Sequence, residues 1–139
     1  MDNAAQIAAV LAGILRGKNI PAFTEFARRD RDIPQTRTFV TICVQSENTG
    51  EEYLDTNGAR TVPVQLTLRL RLHANGEHAA ERINALWFDD ILPAVGSMNL
   101  KVTGIKTDAA AFDDRLGCLV REVRITVDAV YVFTEEEFV

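Results

Sequence analysis

Adjacent carboxylates are the residues of this sequence that come nearest to catalytic chemistry. They include the pairs Glu51-Glu52, Asp89-Asp90 and Asp113-Asp114. A pair of carboxyl groups can divide the roles of general acid and general base between its members. Each of these pairs, however, falls in an expected loop or on the polar face of an expected helix. There a solvated charge is the simpler interpretation.

The histidines and cysteines are the candidate metal ligands. His73 and His78 could share a site across a strand-to-helix turn, although histidines at such positions are more often exposed to solvent. Cys43 and Cys118 lack the close spacing of a zinc site. Cys43 lies inside an apolar strand pattern, which predicts a small buried side chain there. We therefore expect no metal and two reduced thiols.

Sequence motifs for catalysis or nucleotide binding are absent. The chain contains no GxGxxG, GxxxxGK[ST], GxSxG or HExxH. Ser46 and Ser97 have no evident base. Because an active site must bring a nucleophile, a base and an orienting group together, we expect neither enzymatic activity nor a cofactor. An enzyme would require an acid–base pair assembled from Asp, Glu or His residues distant in sequence.

Length and composition indicate one globular domain, residues 1–139. The 139 residues are 47% hydrophobic and 25% charged, as in ordinary globular proteins. The net charge of −5 argues against a general nucleic-acid binder, although Arg69 and Arg71 form a small basic strip. The apolar N-terminus has Asp2 where a signal peptide would carry positive charge. We read it as an amphipathic helix and expect a cytoplasmic protein without a membrane span.

Alternation is the strongest pattern in the chain. In VPVQLTLRLRLHA, residues 62–74, apolar side chains alternate with a Gln-Thr-Arg-Arg-His row. This period of two predicts a strand with one buried and one wet face. LVREVRITVDAVYVF, residues 119–133, repeats the pattern. Its wet row begins at Glu122 and continues through Arg124 and Asp128.

The remaining periodicities complete an α+β domain. Helices are expected at about 4–15 and 77–91, the second closed by Pro93 and Gly96. Further strands are expected within 22–29, 37–45 and 98–107. The order α-β-β-β-α-β-β predicts a mostly antiparallel five-stranded sheet with two helices on one face. On the other face, Arg69 or Arg71 would oppose Glu122 or Asp128 across neighbouring strands.

Two long acidic connections, residues 45–59 and 107–118, each carry one aromatic residue. Exposed aromatics among polar residues are typical of partner contacts. We therefore expect Tyr53 and Phe112 to contact a partner. The alternatives are a disordered surface loop at 45–59, and aromatic side chains that fold back onto their own domain.

The element order, ARTVPVQLTLRLRL leading to GEHAAERINALWFDDIL, and the closing VREVRITVDAVYVF resemble the tail terminator family of long-tailed bacteriophages and phage-tail-like particles. The similarity covers about residues 4–133. None of these stretches is a specific motif.

The resemblance implies a structural virion protein without a catalytic site. Such a protein forms a hexameric ring on the head-proximal end of the tail tube, stops tube polymerisation and joins the tail to the head connector. DNA passes through the lumen without specific binding. It also implies that Tyr53, Phe112 and the charged rows are contacts to a neighbouring subunit, the tube or the connector. The rows could instead face the lumen, but the positive charge of Arg69 and Arg71 favours subunit contacts.

Two other classes of protein stay open. Another head–tail joining or minor tail protein would have a similar length and the same lack of catalysis. A small cytoplasmic α+β ligand-binding domain would be a compact monomer or dimer, and the long acidic connections would then be incidental.

Overall fold

The computed structural model describes residues 4–24, 38–115 and 117–133. The described helices are α1 (Ala4–Gly17), α2 (Ala79–Ala85), a π-helical segment (Leu86–Ile91) and α3 (Leu92–Ser97). The strands are β1 (Ala22–Thr24), β2 (Phe39–Thr49), β3 (Tyr53–Leu54), β4 (Arg60–Ala74), β5 (Lys101–Thr107), β6 (Ala111–Asp113) and β7 (Cys118–Phe133).

Helix α1 is amphipathic and ends in a left-handed turn. Its buried stripe includes Ile7, Leu11 and Leu15. The chain then reverses at Asn19, whose φ is 64°. The amide of Ile20 donates to the carbonyl of Leu15 over 3.1 Å, which closes the helix as a Schellman motif. The helix thus extends to Gly17, two residues beyond its expected end at about residue 15.

The second helix is longer than expected because a π-helical segment carries it past Pro93. The amide of Leu92 donates to the carbonyl of Trp87, five residues back. A proline ring normally clashes with the carbonyl four residues before it and ends the helix. The wider π turn lies immediately before Pro93, so α3 continues to Ser97. The expected end of the helix at Pro93 was therefore wrong.

The strands form one mixed sheet. Its main path is β1-β2-β4-β7-β5, while β3 pairs with β4 and β6 pairs with β7. β1 runs parallel to β2, and the other strand pairs are antiparallel. β4 and β7 are 15 and 16 residues long. They pair from Arg60 opposite Phe133 to Ala74 opposite Leu119.

The α+β class and the placement of both helices on one face are confirmed, whereas the strand count was wrong. The described sheet has seven strands, because β3 and β6 form inside the two expected connections. β2 also extends to Thr49 through a bulge between Val44 and Ser46. The expected strand at 22–29 is described only as β1, and its remainder lies outside the described residues.

The core lies between the two helices and the sheet face that alternation predicted to be buried. The helices contribute, among others, Leu11, Leu15, Ile83 and Ile91, and the two long strands contribute Leu66, Leu68, Leu70, Leu72, Val123, Ile125 and Val127. Among the described residues, no helix is long and apolar enough to cross a membrane.

Candidate interaction surface

The sheet face opposite the helices carries the two polar rows that the alternation of β4 and β7 predicted. The register places Arg71 opposite Glu122, Arg69 opposite Arg124, and Gln65 opposite Asp128. We call this side of the sheet the open face, because α1 and the second helix pack on the other side.

Glu122 is the centre of an ion-pair network on the open face. Its carboxylate lies 3.6 Å from Arg69 Nε and 3.5 Å from Arg71 Nε. It also accepts a hydrogen bond from Arg124 Nη2 over 2.7 Å. Asp108 approaches the same Arg124 nitrogen at 3.3 Å. The expected pairing of Arg69 and Arg71 is thus confirmed with Glu122, and one carboxylate serves three guanidinium groups.

A lysine that sequence analysis had not selected belongs to the same surface. Lys106 of β5 lies opposite Arg124, and Arg124 lies opposite Arg69. Arg69, Arg124 and Lys106 therefore form one row across three neighbouring strands, which we call the cationic row. The alternation of β5 did not predict that Lys106 belongs to this row, because the bulge between Val102 and Gly104 shifts the alternation by one residue.

Asp128 lies away from this network, at the other end of the open face. It opposes Gln65 on one side and Lys101 on the other. Together with Asn48 and Val130, these residues line an open cavity of about 660 Å³. Of the two acidic partners expected for the arginines, Glu122 contacts them, whereas no ion pair joins Asp128 to either arginine.

The connection at 45–59 is mostly an extension of the β2–β4 hairpin. β3 continues along β4 with Tyr53 opposite Thr61 and Leu54 opposite Arg60. The turn is held by Asp55, whose Oδ1 accepts the amides of Asn57 at 2.8 Å and Ala59 at 2.9 Å. The prediction of a long loop at 45–59 was therefore wrong, because much of this segment is in strands β2 and β3.

The tip of this hairpin exposes both apolar and acidic groups. Tyr53 is 48% exposed and Leu54 is 68% exposed. The Arg60 guanidinium donates hydrogen bonds to Glu52, and it holds the pKa of the Glu52 carboxyl below its usual value. Tyr53 is exposed as sequence analysis expected, while Leu54 was missed because a single leucine carries no pattern.

Phe112 lies in β6 at the other end of the sheet, opposite Leu119, which packs against the core on the helix side. Its side chain is 63% exposed, so it does not fold back onto the described domain. It lines an open cavity of about 430 Å³ together with Arg71, Asp108, Val120 and Glu122. Phe112 thus borders this cavity from the end of the sheet and does not share the face of the ion-pair network.

The two histidines lie in different surroundings and share no site. His73 is only 2% exposed. Its ring stacks on Phe39, its Nε2 lies 3.4 Å from Thr41 Oγ1, and its Nδ1 lies 3.8 Å from Cys118 Sγ. His78 is exposed beside Glu81. The expectation that His73 faces solvent was wrong, because aromatic and sulfur groups surround it at this end of the open face.

The cysteines also differ from expectation. Cys43, expected to be buried, is half-buried on the open face opposite Arg69, whereas Cys118 is buried. Burial, together with the charge of Asp113, raises the pKa of the Cys118 thiol. A thiol held protonated in this way is a poor nucleophile.

The other candidate chemical groups are dispersed. Ser97 Oγ donates to the carbonyl of Ala94 within its own helix. Asp89 and Asp90 lie on the π-helical segment, away from the open face. Within residues 4–24, 38–115 and 117–133, no group of three His, Cys, Asp or Glu side chains is placed to hold a metal ion.

The fold and surface define an α+β sheet protein whose described polar groups include an ion-pair network on the open face. The sequence matches no protein-family model and no curated protein.

Proposed function

We propose that this protein is a structural component of a bacteriophage tail. In this proposal, copies of the chain form a ring, six in number, that caps the head-proximal end of the tail tube. The ring stops tube polymerisation and joins the tail to the head connector. The observation that supports this most directly is the pairing of β4 with β7 over their whole length, with helices on one face only.

A ring built by repeating one contact requires two different patches on each subunit. The chain has two candidates at separate places on its sheet. One is the charged network around Glu122 on the open face. The other is the hairpin tip with exposed Tyr53 and Leu54. This supports a head-to-tail arrangement over a compact monomer.

The net charge of the chain also fits a ring through which DNA passes. Free arginines on a lumen wall would bind phosphates and retain DNA. Here Arg69, Arg71 and Arg124 all contact Glu122, and the chain as a whole carries a net charge of −5. In the proposal these rows are subunit contacts, and DNA makes no specific contact with the protein.

The proposed partners are the tube subunit, the connector and further copies of this chain. Assembly would take place in the bacterial cytoplasm, and the finished ring would lie in the virion tail. Phe112 and Tyr53 are exposed at opposite ends of the two long strands. They are therefore suitable anchors for two different neighbours.

Native mass spectrometry and tube-length measurements test the proposal together. The purified protein, 15.4 kDa per chain, is first examined over a concentration series for a species of six chains. It is then added to a polymerising tail tube protein, and tube lengths are measured by electron microscopy. We expect a ring at one end of each tube and an upper limit to tube length.

Unlimited tube growth in the presence of the protein would contradict a terminator role. A monomer or dimer that holds a small molecule in the cavity lined by Lys101 and Asp128 would instead favour a ligand-binding domain. A ring that binds the connector but leaves tube length unchanged would favour another head–tail joining protein.

A further inference from the structure

The cationic row places three positive side chains side by side. Arg69, Arg124 and Lys106 occupy directly opposed positions on β4, β7 and β5. Like charges at such positions repel each other and destabilise the strand pairing. A surface that keeps them requires negative charge from another source.

The carboxylates of the open face supply only part of that charge. Glu122 and Asp108 contact Arg69, Arg71 and Arg124. Lys106 forms no ion pair within the described residues. The Nε atoms of Arg69 and Arg124 are also buried without a hydrogen-bond acceptor among these residues. The row therefore has more donors than acceptors.

The hairpin tip has the opposite imbalance. Between residues 45 and 60 it carries Glu47, Glu51, Glu52 and Asp55 but only one cation, Arg60. Glu52 is paired with Arg60, and Asp55 holds the turn. Glu51 is exposed and forms no ion pair within the described part of the chain. It therefore presents a free carboxylate two residues before Tyr53.

We propose that the cationic row binds the acidic hairpin tip of a second copy of this chain, with Glu51 next to Lys106. The hairpin cannot reach the row of its own subunit. Arg60, at the hairpin, and Arg69, in the row, are nine positions apart on one continuous strand, which is about 30 Å. Only another copy can bring the two surfaces together.

The surroundings of the row favour this occupant over nucleic acid. Glu122 and Asp108 lie within the row's own network, and they would repel a phosphate backbone. The cavity of about 430 Å³ beside Arg71, which Ala111 and Val120 help to line, offers an apolar wall near the cations. The tip carries exposed Tyr53 and Leu54 beside its carboxylates, and thus matches both features.

Charge reversal tests this contact, which rests on the proposed ring. Self-association of the full chain is measured by sedimentation velocity for the wild type, Lys106→Glu and Glu51→Lys. We expect each single reversal to weaken association about tenfold or more. An equimolar mixture of the two variants, and the double variant Lys106→Glu/Glu51→Lys, should restore it, because each again opposes Glu to Lys.

Asp89→Lys is the matched control. It reverses an exposed carboxylate on the π-helical segment and should leave association unchanged. A control that disrupts association as strongly as Glu51→Lys would overturn the proposed contact. So would single reversals without effect, or a wild type that remains monomeric at every concentration.

Two further readouts separate the contact from its alternatives. Binding of duplex DNA that Lys106→Glu abolishes and Glu51→Lys preserves would assign the row to nucleic acid and overturn the contact. Tubes that are capped although the reversals do not affect association would overturn the contact and leave the tail function standing. Restored association without any capping of tubes would support the contact and overturn the proposed tail function.

Discussion

The imidazole of His73 lies flat against the phenyl ring of Phe39, with ring centroids 4.2 Å apart and planes inclined by 3°. Both side chains are buried, although they belong to the sheet face opposite the helices. Phe23 of β1 meets Phe39 edge-on at 6.2 Å. A small second cluster thus stabilises this end of the open face.

Replacing His73 by alanine should therefore destabilise the fold. The change removes the stacked ring and leaves Phe39 beside a cavity, so we expect a loss of about 2 kcal/mol in the free energy of unfolding. Urea denaturation followed by circular dichroism measures it. His78→Ala, at an exposed position, is the control and should change stability by less than about 0.5 kcal/mol. Equal effects of both substitutions would show that the stack contributes nothing.

Glu122→Gln should destabilise the fold more than the loss of any one of its partners. The substitution removes the carboxylate that contacts Arg69, Arg71 and Arg124. The three positive charges then repel each other without a negative charge between them. We expect a loss of about 1–2 kcal/mol that shrinks as salt is added. Arg71→Gln, at an exposed arginine, should cost less than about 1 kcal/mol. Thermal melts at low and high salt compare the two, and a Glu122→Gln effect independent of salt would contradict the electrostatic explanation.

Replacing glycine by alanine should lower the free energy of unfolding at one position and raise it at another. At Gly50 an added Cβ would lie 2.9 Å from Pro63 Cγ, so we expect Gly50→Ala to cost about 1 kcal/mol or more. At Gly13, exposed on α1 with no atom within 4 Å of an added Cβ, alanine should stabilise the helix by up to about 1 kcal/mol. Urea midpoints of both variants decide the matter. A stabilising Gly50→Ala would mean that the hairpin relaxes freely at this point.

Tyr131 should make the fold sensitive to alkaline pH. Its hydroxyl donates to the Glu47 carboxylate. Burial, with a further contribution from Glu47, raises the pKa of Tyr131 to about 12. The folded state thus holds this proton more tightly than the unfolded chain, whose tyrosine titrates near pH 10. Stability should be unaffected below about pH 10 and should fall as the pH rises towards 12.

Tyr131→Phe should remove that part of the alkaline loss. The measurement is the free energy of unfolding between pH 9 and pH 12 for the wild type and the variant. The tyrosinate absorbance of a Tyr53→Phe protein, which retains only Tyr131, gives the pKa directly. A Tyr131 that titrates at its ordinary value would contradict both its burial and its hydrogen bond to Glu47.

Local periodicity was sufficient to predict the two long strands and their faces. In β4 every second residue from Val64 to Leu72 is buried, because the alternation of a strand is fixed by its own backbone. The ion pair between Arg71 and Glu122 followed from that alternation once the two strands were taken as neighbours.

Elements that depend on contacts distant in sequence were not predictable in this way. β3 has two residues and exists only because β4 extends far enough to pair with it. The burial of His73 arises from Phe39 on a neighbouring strand. The π-helical segment before Pro93 is a local adjustment that no spacing of apolar residues reveals. For β3 and for His73 the missing information was the partner on the neighbouring strand, which depends on how the whole sheet is assembled.

Edge strand β5 has a consequence for how copies of this chain associate. Within the described residues no strand pairs with its outer edge, and an unprotected edge of this kind promotes open-ended aggregation into fibrils. Lys101 and Lys106 stand near its two ends, and the bulge between Val102 and Gly104 interrupts its ladder. Charged residues and bulges both prevent edge-to-edge addition of strands. This edge is thereby guarded against the addition of a further strand, so the association proposed above would depend on side-chain contacts, which can form a closed assembly of limited size.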